Sequence, residues 1–421
     1  MNPCLIYFTA FAFYATILVF RNAYSIFAGT LVALCIWYIA RHRSLEATRH
    51  DRIFAILLIA FPLSMVPSAI LMGGDWSAFD YPLRALIFVP LIAGLRCSKE
   101  LPKLEFYIYS GGATGGIGAA IFTAISMFFD PAQRVGIPIT NPIAYGQIAG
   151  ILSLLSLAGW LKSHQRTEKI FYGLGGFGAI FAIYGSGSAG ALLGWLAGLT
   201  LLLAYTAKRV QITGRTALYL ALFSCIAVGI LFPLAAQKYS QILNEVQATL
   251  TGEGMGTSQG QRLMLLMLAI KSFAQHPWLG VGLGNTYRIV DAFCNSNYCT
   301  PEFAGFTGMH SQYLDAMTSA GALGLAGWLI SSLGIFVLFL RRTSAHQQDL
   351  PSITGAAIVA SMLASSTTQG LYHHNISVIS YYYTISLLWF LTREPNQEAE
   401  AATSCLDKRK IENNFYVPIN R

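Results

Sequence analysis

The sequence predicts an all-α polytopic membrane protein of about twelve transmembrane helices, with one partly helical loop region late in the chain. Three observations carry this prediction. Of 421 residues, 54% are hydrophobic and only 11% charged, with a mean hydropathy of +0.52, whereas soluble proteins carry roughly 25% charged residues. The apolar residues gather into twelve stretches, most of them near the roughly 20 residues that cross a bilayer. The basic residues alternate between loops as the positive-inside rule requires. Other classes are excluded, because 39 Gly without a period, 15 Pro and 7 Cys make neither a collagen, a disordered chain nor a disulfide scaffold.

The spans are expected at 3–20, 24–40, 53–72, 83–95, 106–128, 142–161, 170–185, 189–207, 216–237, 320–340, 352–370 and 375–392. The stretch at 83–95 is short and is expected to extend to include Arg84 near its outer end. Met1-Asn2-Pro3-Cys4 lacks a basic leader, so the first span is expected to act as an uncleaved anchor. Twenty of the 27 Lys and Arg fall on one side of this topology. The other side holds seven: Arg21, Arg84, Arg134, Lys238, Arg262, Lys271 and Arg288. The first side is therefore cytoplasmic and contains both termini. The net charge of +8 is a signal of topology, so membrane lipids are the expected surroundings and nucleic acid is not an expected partner. The chain divides into nine spans (1–237), a large extracytoplasmic segment (238–319), three further spans (320–392) and a polar cytoplasmic tail (393–421).

A long connection between tight spans is usually functional or disordered. Here Trp278, Tyr287, Phe293, Phe303, Phe306 and Tyr313 argue for order. Helices are expected at about 239–250, 261–274 and 310–319, joined by Gly-rich turns. Gln261-Arg262 opens the second of these, with Ser258 placed to cap it. Free amides at a helix start beside an arginine make an anion site. The same Arg262 could instead snorkel to lipid headgroups, since Leu263, Leu265, Leu266, Met267 and Ile270 mark an interfacial helix. His310 begins the third helix, in His310-Ser311-Gln312-Tyr313-Leu314-Asp315. The positive end of a helix dipole disfavours imidazolium, which suits a general base, although a lone histidine there is more often a surface residue.

Asp80 and Arg84 stand four residues apart and are expected to pair. Arg84 and Arg134 could still contribute to an anionic site. Gly280, Gly282 and Gly284 resemble a dinucleotide fingerprint only superficially, because no strand precedes them. Gly111-Gly112 and Gly115-Gly116 are read as close helix packing. Cys294 and Cys299 are placed for an extracytoplasmic disulfide. His373-His374 could bind a metal in principle, but no carboxylate or cysteine cluster accompanies them, so they are read as interfacial. No metal site and no cofactor are expected.

Taken together, the late loop with its opening arginine, the segment HPWLGVGLGN (276–285) and the run HSQYLDAMTSAGALGL (310–325) resemble the O-antigen ligase and polymerase superfamily. The resemblance implies about a dozen transmembrane helices capped by a periplasmic loop region. It implies transfer of a glycan from undecaprenyl diphosphate to a hydroxyl acceptor, lipid A-core in a ligase, without metal or nucleotide sugar. By motif, His310 matches the catalytic histidine and Arg262 the loop arginine. SGSAGALLG (186–194) resembles the stretch where an arginine usually follows Ser or Thr, but that position is Ala189 here. Another arginine substitutes, or diphosphate binding is weakened, or the chain is an active-site variant; Arg84, Arg134 and Arg288 are the substitute candidates. A polymerase or protein O-oligosaccharyltransferase would share this core, with ligase favoured because the chain has no large C-terminal module. A transporter or lipid flippase is disfavoured, because such proteins mark their paths with ionisable residues in mid-membrane.

Overall fold

The computed structural model describes residues 2–42, 47–97, 101–209, 257–296, 299–345 and 349–392, with isolated helical positions between 229 and 247. The first helices run α1 Pro3–Thr16, α2 Ala23–His42 and α3 Arg49–Leu71. A broken segment follows, made of a 3-10 turn Trp76–Phe79, α4 Asp80–Leu83, a second 3-10 turn Arg84–Phe88 and α5 Val89–Cys97. Next come α6 Leu104–Phe129, an extended piece Val135–Pro138, α7 Pro142–Lys162, α8 Arg166–Ser186 and α9 Ala189–Arg209. The late part contains α10 Ser258–Gln275, α11 Tyr287–Cys294, α12 Pro301–Ala304, α13 Gln312–Ala345, α14 Leu350–Ser365 and α15 Asn375–Leu391. Seven of the described helices are long and apolar enough to cross a membrane, and three more are shorter apolar helices. The protein is thus a polytopic helical membrane protein, with fewer spans among the described residues than the twelve expected. The expected span at 216–237, the helix at 239–250 and the tail from 393 lie outside the described residues.

Local chemistry fixes most helix starts. Asn2 accepts from the Cys4 amide at 3.0 Å ahead of Pro3. Thr48 and Asp51 form a capping box, each side chain taking the other's amide at 3.1 Å. Asn141 caps α7 at 2.8 Å ahead of Pro142, and Gly187 ends α8 with φ of +59°. Several boundaries differ from expectation. The first span ends at Thr16 and turns through Asn22, whose φ is +64°. The fourth span starts at Trp76, because Asp75 caps the 3-10 turn through the Ser77 amide at 2.9 Å. The eleventh ends at Ser365, since the polar run Ser365-Ser366-Thr367-Thr368-Gln369 bonds locally.

Inside the bundle, glycines let backbones touch. A Cβ on Gly115 would sit 2.1 Å from the Tyr14 carbonyl oxygen, and one on Gly116 would sit 2.1 Å from that of Gly175. The paired glycines of α6 therefore serve helix packing, as expected. Apolar side chains left outside, such as Leu63, Phe128 and Phe129, suit a lipid-facing perimeter. At one end, buried Asp51 gathers Arg96 (Nε to Oδ2 3.2 Å) and the Trp389 indole (2.9 Å), tying α3, α5 and α15 together.

The other end is organised by a break inside α13. Ala320 and Gly321 leave helical geometry, and Gly321 adopts φ +64° and ψ −151°, a region only glycine enters readily. The break releases backbone groups that must find partners. The loop after α10 supplies them. Ala322 N donates to Pro277 O at 2.7 Å, and Val281 N donates to Thr318 O at 2.8 Å. The Ser68 hydroxyl of α3 reaches the carbonyls of both Leu279 (2.6 Å) and Ser319 (2.7 Å). Gly280 also has positive φ (+63°), and a Cβ there would lie 2.3 Å from Thr318 O. The glycines at 280, 282 and 284 are therefore close-packing residues of this joint. The sequence division at 319/320 falls on the break, but α13 runs through it from Gln312 to Ala345.

Substituting Gly321→Ala adds a Cβ 2.4 Å from the Trp278 carbonyl carbon in a glycine-only conformation. A loss of at least about 2 kcal/mol is expected, read as a lowered Tm in detergent. Gly29→Ala, which meets nothing within 4 Å, should leave the Tm unchanged or slightly raised.

Candidate functional site

The site is assembled from four chain segments at the jointed end. The first is the start of α10, where Thr257, one residue before the expected Ser258, caps the helix by accepting from Gly260 N at 3.1 Å. The helix begins at Ser258, so Arg262 stands within its first turns. The second is the loop after α6, where Arg134 Nε donates to Ser186 O at 2.8 Å. This bond pins Arg134 to the α8–α9 turn, within 3.3 Å of where a Gly187 Cβ would lie. Partial burial and the neighbouring Arg262 charge both lower the Arg134 pKa. Two positive charges thus act on one another here, an interaction that a bound anion would offset.

Ala189 begins α9 in this same turn and is exposed. Ser188 beside it accepts from Ala191 N at 3.3 Å, and Gly190 packs against Thr368. The turn therefore keeps its shape without an arginine at 189, and Arg134 brings a guanidinium to it from another part of the chain.

The third segment holds His310 and the start of α13. His310 lies two residues before Gln312, the first helical residue, in a left-handed conformation with φ +51°. Gln312 N and the Ser311 hydroxyl both bond Ser366 O, at 2.9 and 3.3 Å. The His310 ring meets the Phe306 ring edge-on at 4.5 Å. Burial lowers its pKa below the usual histidine value, and the His373 and Arg262 charges act in the same direction, against its Gln369 bond and Asp315. The ring is neutral at pH 7 chiefly because it is desolvated.

The fourth segment is 366–374. Gln369 Oε1 lies 3.2 Å from His310 Nδ1, and Gln369 Nε2 lies 3.2 Å from His374 Nε2. Burial pushes the His374 pKa down to about 4, so its ring is neutral, and with Gln369 Nε2 facing it the His374 Nε2 is the acceptor. That bond turns the amide oxygen of Gln369 toward His310. His310 Nδ1 must then carry the proton, which leaves Nε2 with the free lone pair. His373 pairs with Asp315 at 2.8 Å, and Asp315 also accepts from Met309 N at 2.6 Å. The Asp315 carboxylate raises the His373 pKa.

Sequence reasoning missed this last segment. His373 and His374 were expected to be interfacial histidines without a carboxylate, but Asp315 is that carboxylate, 58 residues away. Gln369 was placed at the end of a span; the polar run around it was the available signal. Arg84 pairs with Asp80 as expected and lies 4.6 Å from the Tyr81 ring centroid. Its Nη1 is buried without a partner. Arg288 sits on α11, where it contacts the Tyr287 hydroxyl at 3.4 Å and lines a separate cavity. Cys294 and Cys299 form the expected disulfide between α11 and α12.

Residues 174–329 match the family model described as O-Antigen ligase, whose members are membrane glycosyltransferase-like enzymes. The matched segment includes the 186–189 turn, Arg262 and His310. A Haemophilus influenzae protein described as uncharacterized is 21% identical over 379 residues, covering 88% of this chain and 94% of its own length.

Histidine titration by NMR should separate these groups. The His310 midpoint should lie below 6.5 and rise in Arg262→Ala, which removes a repelling charge; it should fall further in Gln369→Leu. The His373 midpoint should lie above 6.5. The sign for stability follows: the His373–Asp315 pair contributes fully below pH 6.5, and its contribution is lost as pH rises through the raised folded value.

Proposed function

From a chain whose residues 174–329 match the family model described as O-Antigen ligase, we propose an enzyme that transfers a glycan from undecaprenyl diphosphate to a hydroxyl of lipid A-core. It works at the periplasmic face of the bacterial inner membrane, with both termini in the cytoplasm. The observation that carries this reading is the bond from Arg134 to the Ser186 carbonyl at the turn before Ala189, with the charge of Arg262 lowering the pKa of both Arg134 and His310.

The chemistry follows from these groups. Arg134 and Arg262 hold the donor diphosphate, with the partly unpaired Arg84 as a further candidate. The acceptor oxygen attacks the anomeric carbon while His310 Nε2 takes its proton. The bond from that carbon to the phosphate oxygen breaks, and its electron pair leaves on undecaprenyl diphosphate. The guanidinium groups stabilise the developing charge in a partly desolvated setting. Direct displacement of this kind inverts the anomeric centre. Gln369 acts through His310 by fixing its tautomer, and Arg134 takes the place of the arginine absent at Ala189.

Expression in a strain lacking its own O-antigen ligase should restore the lipopolysaccharide ladder on lipid A-core. Failure of the wild type to restore it would overturn the ligase reading, and a deletion mutant accumulating lipid-linked single repeats would indicate a polymerase. His310→Ala should insert normally and give no ladder. Arg134→Ala should lower transfer by about a hundredfold, the loss typical of one oxyanion-stabilising donor. Adding Ala189→Arg to that variant should recover at least about a tenth of the lost activity; a double variant as slow as Arg134→Ala would refute the substitution.

A further inference from the structure

A second cavity, of about 400 Å³, opens between the C-terminal half of α10 and α11. Its lining includes neither Arg134, Arg262 nor His310. Lys271 and Arg288 supply two cations, and no described lining residue is a carboxylate. Gln275 and Asn285 add amide groups, while Ile289 and Phe293 give an apolar wall. Ser272 also lines the cavity; it is 4% exposed, and its hydroxyl has no partner in the protein. The two cations and the Gln275 amide make this a polar, positively charged pocket, with the Ser272 hydroxyl buried and unpaired in its wall.

We infer that this cavity binds an acidic saccharide, the phosphate- or carboxylate-bearing part of the acceptor glycan. The mixture of charge, amides and a flat aromatic wall suits a sugar ring carrying an anionic substituent. A lipid tail would not need the cations, and a bare inorganic anion would not need the apolar wall. Position argues for acceptor over donor. Lys271 lies nine residues beyond Arg262 on α10, about 14 Å along the helix. A row of rings connects the cavity to the base: Phe293 to Phe303 at 6.1 Å, Phe303 to Phe306 at 5.8 Å, and Phe306 to His310 at 4.5 Å. Phe303 is fully buried, so these rings form one packed cluster that holds the cavity at one end and His310, the group that receives the acceptor proton, at the other.

The inference rests on the transfer reading for the word acceptor, and on the cavity alone for the ligand chemistry. Two measurements keep these apart. In the first, the purified full-length protein in detergent is titrated with glucose 6-phosphate, glucuronate and glucose by saturation-transfer NMR. Binding of at least one acidic sugar, with none of glucose, is expected, and Lys271→Gln/Arg288→Gln should abolish it. Equal signals from all three sugars, or an unchanged signal in the double variant, would overturn the site. In the second, transfer is assayed with lipid A-core carrying phosphate groups and with the same acceptor dephosphorylated. The double variant should raise the KM for the phosphorylated acceptor about tenfold or more, with kcat and the donor KM unchanged. The dephosphorylated acceptor should show that raised KM already in wild type. A KM indifferent to both changes would refute the acceptor assignment for phosphate. A wild type that binds acidic sugars but transfers nothing to lipid A-core would sink the ligase reading and leave the cavity standing.

Discussion

The break in α13 at Ala320–Gly321 is the constraint on which the site end depends. A straight helix through this point would satisfy its own amides and leave the 277–281 loop with nothing to bind. The break offers the Thr318 carbonyl and the Ala322 amide, and the loop returns Val281 N and Pro277 O. Ser68 closes the joint from α3. One end of the joint leads back along α10 to Arg262; the other leads up α13 to His310. The relative placement of an arginine and a histidine 48 positions apart is thus set by backbone hydrogen bonds that involve neither of them. Glycine is required on both faces because the chains meet at backbone distance.

Electrostatics at this end work by scarcity. The chain has few charges, and many of those at the site are answered: Asp80 by Arg84, Asp315 by His373. Arg134, bound to the Ser186 carbonyl, has its pKa lowered by burial and by the charge of Arg262. The His310 pKa is lowered by burial and by the charges of His373 and Arg262, while the ring bonds Gln369 through Nδ1. A cationic pocket and a basic imidazole are natural companions here, since each positive charge near the ring disfavours its protonation.

Much of this was legible in the sequence, for reasons specific to each part. The membrane class followed from composition, because low charge density is incompatible with a soluble surface. Arg262 and His310 stood out because polar residues are rare enough in this chain to be noticed one at a time. Helix ends were read less well where a polar side chain outside the apolar run decided them, as with Asp75 before Trp76 and the serines and threonines after Ser365. The network behind His310 was illegible, since Gln369 and His374 meet it only through the return of the chain after α14. Arg134 was visible as a candidate but could not be ranked above Arg84 or Arg288. What distinguishes it is a bond to the Ser186 carbonyl, and a sequence carries no record of which carbonyl a guanidinium finds.

The order in which the segments are made gives this arrangement a timetable. Arg134, the 186–189 turn, Arg262 and His310 have all been synthesised by residue 310, yet the groups that hold the ring come later. Ser366, Gln369, His373 and His374 follow α14, and α15 seals them in place. A chain ending before residue 366 lacks every one of these partners of His310 and Asp315. On the proposed reading, the base is therefore completed last, with the insertion of the final helix.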